Sequence, residues 1–161
     1  MPIIETENLI LHTFTKEMMK AILHHQPEKL PFKQAKDWPL PVYLELFPYK
    51  IDRFTVKPEE ESWEWIIVHK KDKVIIGDIG FKGGPNEKGE IDIGYSIVPE
   101  YRGKGYATES GKALVQWGLS QQNVKKVTAT CNPHNFASKR VLEKIGLHVV
   151  LETTESIYWS S

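Results

Sequence analysis

The sequence predicts one α+β domain over residues 1–161: a mixed, largely antiparallel central sheet flanked by helices, with one parallel strand–helix–strand crossover. Three observations predict it. Residues 62–98 hold three β-prone runs joined by short turns, the pattern of an antiparallel meander. Residues 91–130 read strand, glycine loop, helix, strand, which implies a right-handed parallel crossover. A chain of 161 residues is also the size of one domain with a substantial core.

The elements follow in order. Residues 8–12 read as a first strand, and 15–25 as a helix with Met18, Ile22 and His25 on one side. Residues 27–61 look irregular, with six prolines among many aromatics and a short helix between Val42 and Phe47. Glu59, Glu60 and Glu61 read as a solvated helix start. The meander runs 62–69, 74–81 and 90–98, with turns at 71–73 and 83–89. A helix from Tyr106 to about Ser120 places Ala107, Gly111, Leu114, Val115 and Gly118 on one face. Each glycine there costs about 1 kcal/mol against alanine, so close packing on a sheet is the expected reason for both. Lys126 to Cys131 is a strand. Residues 135–145 form a helix with Ala137, Val141, Leu142 and Ile145 inward, stopped by Gly146. Residues 149–152 and 156–159 suit a closing hairpin.

Composition excludes several functions. Lys+Arg and Asp+Glu are both 21, so net charge is zero and strong nonspecific nucleic-acid binding is not expected. No apolar run has the length of a membrane span, and the first residues do not read as a signal peptide. The single Cys131 cannot form an internal disulfide, which fits a reducing cytoplasm. His24 and His25 point about 100° apart on a helix, and no cysteine cluster supports them, so no metal is expected.

The segment richest in chemistry lies between the third meander strand and the next helix. Arg102, Gly103, Lys104 and Gly105 form a basic glycine loop. Such a loop leaves free backbone N–H groups at a helix N-terminus, adds two cations, and lets an anion approach the backbone. That is a phosphate or pyrophosphate grip. It is not a P-loop, since no Gly-x-x-x-x-Gly-Lys-Ser/Thr occurs. A Rossmann loop would need glycine where Thr108 stands.

Arg102-Gly103-Lys104-Gly105-Tyr106-Ala107 resembles the Gln/Arg-x-x-Gly-x-Gly/Ala acetyl-CoA signature of the GNAT N-acetyltransferase superfamily. Asp92-Ile93-Gly94-Tyr95 resembles the Glu-Ile-Gly-Tyr of its ribosomal-protein N-terminal acetyltransferase-like (Rim-type) branch. Asn135-Phe136-Ala137-Ser138 followed by Glu143-Lys144-Ile145-Gly146-Leu147 resembles that branch's Asn-x-x-Ser…Glu-Lys-x-Gly-Phe. Thr6 to Leu11 resembles its opening strand. Four blocks stand in the family's order from residue 6 to about 147.

The resemblance implies a GNAT fold, acetyl-CoA as cosubstrate without a metal, and transfer of acetyl to a primary amine by direct attack in a ternary complex. The acceptor is an amine-bearing small molecule or a peptide N-terminus, with oligomeric state left open. A catalytically quiet acyl-CoA-binding sensor on the same fold is the alternative, and a nucleotide-binding module a third reading. The cofactor would be held by the backbone of Ile97 and Val98, by Arg102, Gly103, Lys104, Gly105, Tyr106, Ala107 and Thr108, and by Asn135 and Ser138.

Acetyl transfer needs a neutral amine, a donor for the tetrahedral oxyanion and a proton for the departing thiolate. Asp92 occupies the position of the family's strand glutamate and is the expected base. Glu90 shares its parity on a period-2 strand and is the second choice. Many family members carry a tyrosine acid in the last helix, but here that position is Leu142. The branch it resembles has serine at the Ser138 position and often cysteine at the Cys131 position, which implies that either bonds the sulfur. The aromatic segment with Phe32, Trp38, Tyr43, Phe47, Tyr49 and Phe54 would wall the acceptor site.

Overall fold

The computed structural model describes residues 2–161. Strands β1 (Ile3–Glu5) and β2 (Leu9–Thr13) form an antiparallel pair. Helix α1 (Lys16–Leu23) follows, its N-terminus capped by Thr15, whose hydroxyl accepts from the Met18 N–H. A two-residue strand β3 (Lys33–Gln34) and helices α2 (Pro41–Leu44) and α3 (Phe47–Val56) lead to β4 (Glu64–His69), β5 (Val74–Phe81) and β6 (Glu90–Ile97). Helix α4 (Tyr106–Leu119), strand β7 (Lys126–Cys131), helix α5 (Phe136–Lys144) and the hairpin β8 (His148–Glu152) and β9 (Ile157–Ser160) complete the fold.

The sheet order is β1-β2-β4-β5-β6-β7-β9-β8, with β3 added in parallel to β5. Neighbours along that order are antiparallel except β6 and β7, the two ends of the crossover through α4. The architecture is the α+β class expected from the sequence, with its meander and its one parallel crossover.

The parallel pair is short, and this decides where the site lies. Registered pairing joins Glu90–Lys126, Ile91–Val127 and Asp92–Thr128, and ends there. Strand β6 goes on to Ile97 against β5, while β7 goes on to Cys131 against β9. The two strands therefore part after Asp92. Backbone groups of successive residues alternate between the two neighbours of a strand. Asp92 C=O accepts from Lys82 and Val98 N–H donates to Ile76, so the even positions face β5 and Ile93, Tyr95 and Ile97 face the split.

Close packing of α4 on the sheet explains its glycines. A Cβ at Gly118 would lie 2.7 Å from Ile91 and 2.8 Å from Phe81, and one at Gly111 would lie 2.9 Å from Ile145. Ser110, Gly111, Leu114, Val115 and Gly118 form the buried face, with Ala107 half-buried. Trp65, Phe81 and Trp117 pack beside it, with the two indoles 5.0 Å apart.

The region 27–61 is more regular than the sequence suggested. Pro41 and Pro48 stand in the first turns of α2 and α3, and Pro58 opens a 3₁₀ turn over Pro58–Trp63. In the first turn proline removes an N–H that no intrahelical acceptor would meet, so these prolines start helices instead of preventing them. Glu60 is also not solvated: it is 7% exposed, and Arg53 grips its carboxylate through Nε and Nη2, each at 2.8 Å. At α5 the inward residues are Leu142 and Ile145, with Val141 half-buried, whereas Ala137 is exposed.

Candidate active site

The glycine loop is shaped by two left-handed residues. Gly103 has φ +74° and Gly105 φ +84°, and a Cβ at either would meet nothing within 4 Å. The loop is thus open on the side where a ligand would approach. The N–H groups of Gly103, Lys104 and Gly105 have no backbone acceptor among the described residues. Those of Tyr106, Ala107 and Thr108 open α4 before its first recorded bond, from Glu109 N–H to Gly105 C=O at 2.9 Å.

Aromatic groups fix the loop from below. Tyr101 is buried and donates to Asp72 at 2.8 Å. That bond, reinforced by burial, pushes its phenol up to about 12. The Lys104 ammonium lies 5.4 Å from the centre of the Tyr101 ring, and Tyr106 OH meets His69 Nε2 at 3.0 Å. Arg102 Nε donates to the Ile97 carbonyl at 2.7 Å, tying the loop to the strand end that faces the split.

A cavity of about 840 Å³ opens in the split and continues across the sheet. On the helix α4 and α5 side, Tyr95 OH lies 3.2 Å from Ser138 Oγ, and burial raises the phenol's pKa. Asn135 caps α5 by accepting from Ser138 N–H at 3.1 Å and also lines the cavity. Cys131 lines it too, its sulfur accepting from the Trp159 indole at 3.3 Å. Leu142 closes this side with an apolar surface, 2% exposed.

The other side of the cavity carries charge. Glu64 and Asp78 project into it from β4 and β5, enclosed by protein on most sides. Burial is the main cause that raises both carboxyl pKa values. For Glu64, Lys50 opposes this shift from 3.1 Å. For Asp78, a hydrogen bond from the Trp38 indole at 3.0 Å is the chief opposing effect. Tyr43, Tyr49, Lys50, Arg53 and Phe54 form the upper wall.

Asp92 and Glu90 are not brought to this cavity. Asp92 sits at the last bonded step before the strands part, so its carboxylate accepts from Thr128 at 2.9 Å and pairs with Lys82 at 3.1 Å. It lines a separate, smaller recess beside β9 together with Glu90. Glu90 is held below the usual carboxylate range, first by Asn86 and then by Lys126. Ser138 and Asn135 do reach the cavity. Of the strand-end pair, Ile97 faces the split, whereas the Val98 N–H is taken by Ile76 at 2.9 Å.

Sequence reasoning missed Asp78, Glu64 and Tyr95 as site residues. Asp78 had a legible signal: a single charge inside Val-Ile-Ile-Gly-Asp-Ile-Gly-Phe, an otherwise apolar strand. Among the aromatics expected to wall the acceptor, Tyr43, Tyr49 and Phe54 do line the cavity, while Trp38 and Phe47 belong to the core and Phe32 packs edge-on against His12. Among the described residues, no group of three or more His, Cys, Asp or Glu is placed to hold a metal. No helix there is long and apolar enough to cross a membrane.

The central sheet is split at the parallel pair β6–β7, with an open glycine loop at one end of the split, an α+β architecture built around a cleft. Residues 8–148 match the model of the acetyltransferase (GNAT) domain, and the chain belongs to the GNAT acetyltransferase family. It is 31% identical to the uncharacterized N-acetyltransferase YjdG of Bacillus subtilis over 163 residues, covering 99% of this chain and 97% of that one. In structure it is similar to the ribosomal L7/L12 alpha-N-protein acetyltransferase RimL in complex with coenzyme A, with a TM-score of 0.72 and 17% identity over 99% and 97% of the two chains. It is also similar to the microcin self immunity acetyltransferase MccE in complex with acetyl-CoA and AMP, with a TM-score of 0.68 and 16% identity over 97% and 93%.

Proposed function

We propose that the protein moves an acetyl group from acetyl-CoA to a primary amine by direct attack in a ternary complex. The observation that carries this reading is the continuity of the cavity. It joins the split strand edge at Ile93, Gly94 and Tyr95 to an acidic, aromatic chamber across the sheet, while the glycine loop lies beyond its lining, at the far end of β6. RimL with coenzyme A and MccE with acetyl-CoA support the choice of cosubstrate.

In this reading the N–H groups of residues 103–108 hold the pyrophosphate, with Arg102 and Lys104 adding charge. The pantetheine arm lies along the free edge of β6, where Ile93, Tyr95 and Ile97 present their backbone, and Asn135 holds an arm amide. The thioester carbonyl lies in the split. The amine nitrogen attacks its carbon, the C–N bond forms, and the C–S bond breaks as the tetrahedral intermediate collapses. Tyr95 then gives its proton to the departing sulfur, and Ser138 orients the phenol. The raised pKa keeps Tyr95 protonated across the working range, as a donor requires. Tyr95 so supplies from β6 the phenol that Leu142 cannot supply from α5.

The test is a melting scan with acetyl-CoA, followed by thiol release in the presence of primary amines. A ligand at a hundred times its dissociation constant adds about 2.7 kcal/mol if it binds only the native state. The expected result is a clear upward shift with acetyl-CoA, none with ATP, and amine-dependent thiol release. A shift with ATP alone would end the acetyl-transfer reading.

A further inference from the structure

The cavity's charges cancel in pairs except at one place. Arg53 pairs with Glu60 at 2.8 Å, and Lys50 with Glu64 at 3.1 Å. Lys82, at the rim, pairs with Asp92 at 3.1 Å. Asp78 is the remaining carboxylate of the lining, and no Lys, Arg or His lies within 4.0 Å of it among the described residues. The Trp38 indole donates to its Oδ2 at 3.0 Å, and no other donor stands in full hydrogen-bond geometry to the carboxylate. Its cross-strand partner Ser96 is 7% exposed, and the Ser96 hydroxyl lies beside the Asp78 carboxylate, favouring its charged form but outside full hydrogen-bond geometry. The charge that acts on it, Lys50, is paired with Glu64, and an enclosed carboxylate without a cation of its own is costly unless one is meant to join it.

The surroundings give that cation room and access. Beside Asp78 on the same face lies the cross-strand pair Gly80–Gly94, in which Glu64 and the Trp63 carbonyl cover Gly80 and the backbone of Gly94 forms an open floor. A Cβ at Gly94 would approach only the Lys82 side chain, at 3.6 Å. Gly94 adjoins Ile93 and Tyr95, whose backbone faces the split, so an amine on this floor lies next to the thioester path. Tyr43 and Tyr49 offer aromatic surface to the body of the acceptor.

We propose that Asp78 receives the acceptor's ammonium group and takes its proton, and that the acceptor is a primary amine carrying a single positive charge. This rests on the acetyl-transfer reading above. The proton passes from the ammonium to the Asp78 carboxylate, and the freed lone pair attacks the thioester carbon. As the intermediate collapses to the amide, the nitrogen gives its second proton to water in the open cavity, the sulfur takes the Tyr95 proton and departs as the thiol, and water returns a proton to the Tyr95 phenoxide. One unbalanced carboxylate suits one cation. A second cation on the acceptor would meet Lys50 and Arg53.

The experiment compares wild type, Asp78→Asn and Asp92→Asn, each checked for folding by circular dichroism. Initial rates of thiol release from acetyl-CoA are measured with 2-phenylethylamine, with putrescine, and with a short peptide bearing a free N-terminal amine and no other charge. Acetyl-CoA melting shifts are recorded for every variant. Asp78→Asn should keep the wild-type acetyl-CoA shift and lose roughly 10² to 10⁴ in kcat/KM. Asp92→Asn should lose less than about tenfold, a small fraction of general-base catalysis. Either monocationic probe should be used better than putrescine, and the better of the two identifies the source of the amine.

A loss confined to Asp92→Asn, or equal rates in Asp78→Asn and wild type, would overturn the role of Asp78. A preference for putrescine, or no turnover of either monocation, would overturn the acceptor class. Absence of an acetyl-CoA shift in the wild type would instead remove the underlying acetyl-transfer reading.

Discussion

Replacing Gly105 by valine separates the loop's backbone strain from its ligand. Gly105 has φ +84° and ψ 8°, a left-handed conformation that a β-branched residue adopts only with strain. No neighbour stands within 4 Å of a Cβ there, so the folded protein loses no packing. The cost is backbone strain alone, about 1–3 kcal/mol. At 2–4 °C per kcal/mol for a chain of this size, the melting temperature should fall by roughly 2–12 °C. The valine methyls would occupy the open space in front of the loop N–H groups. The acetyl-CoA shift, about 5–10 °C in the wild type at a hundred times the dissociation constant, should therefore vanish. Gly146→Val is the control. Its φ is +100° and its Cβ also meets open space, but it follows α5 away from the loop. It should lower the melting temperature comparably and keep the full shift. A folded Gly105→Val protein with an undiminished shift would refute the pyrophosphate grip.

Two further outcomes follow from the buried groups. Tyr95→Phe should lower kcat roughly 10²-fold, the lower end of acid–base catalysis, with little change in KM for acetyl-CoA. An unchanged kcat with a slow amine-dependent chemical step would remove the phenol from the proton path. Burial raises the Asp78 carboxyl pKa, so ionising it costs folding stability. That cost is absent below the unfolded value near 4 and full above the folded value. Asp78→Asn should thus melt higher than wild type at pH 7, and the gap should close as pH falls towards about 4. A variant less stable than wild type at pH 7 would show that the carboxylate is already compensated within the protein.

The sequence by itself determined most of the framework. Val74–Phe81 and Lys126–Cys131 were legible to the residue, because β-branched runs bounded by turns carry their own period. The glycine loop, the start of α4 at Tyr106 and the stop of α5 at Gly146 were equally local, since each depends on backbone that only certain residues adopt. Helix α3 escaped because prolines at its edges read as breakers until their place in the first turn is known.

Only the tertiary structure decided which carboxylate faces the cavity. Asp92 and Asp78 both interrupt apolar strands, and parity alone places both on one face of the sheet. What separates them is where β6 and β7 part. Asp92 lies at the last paired step, where Thr128 and Lys82 satisfy it. Asp78 lies one strand away, where α3 and Trp38 enclose a chamber whose Lys50 pairs with Glu64 instead. Pairing between strands, and the charge balance of a cavity built from four separate stretches of chain, are long-range facts. No local window of sequence contains them.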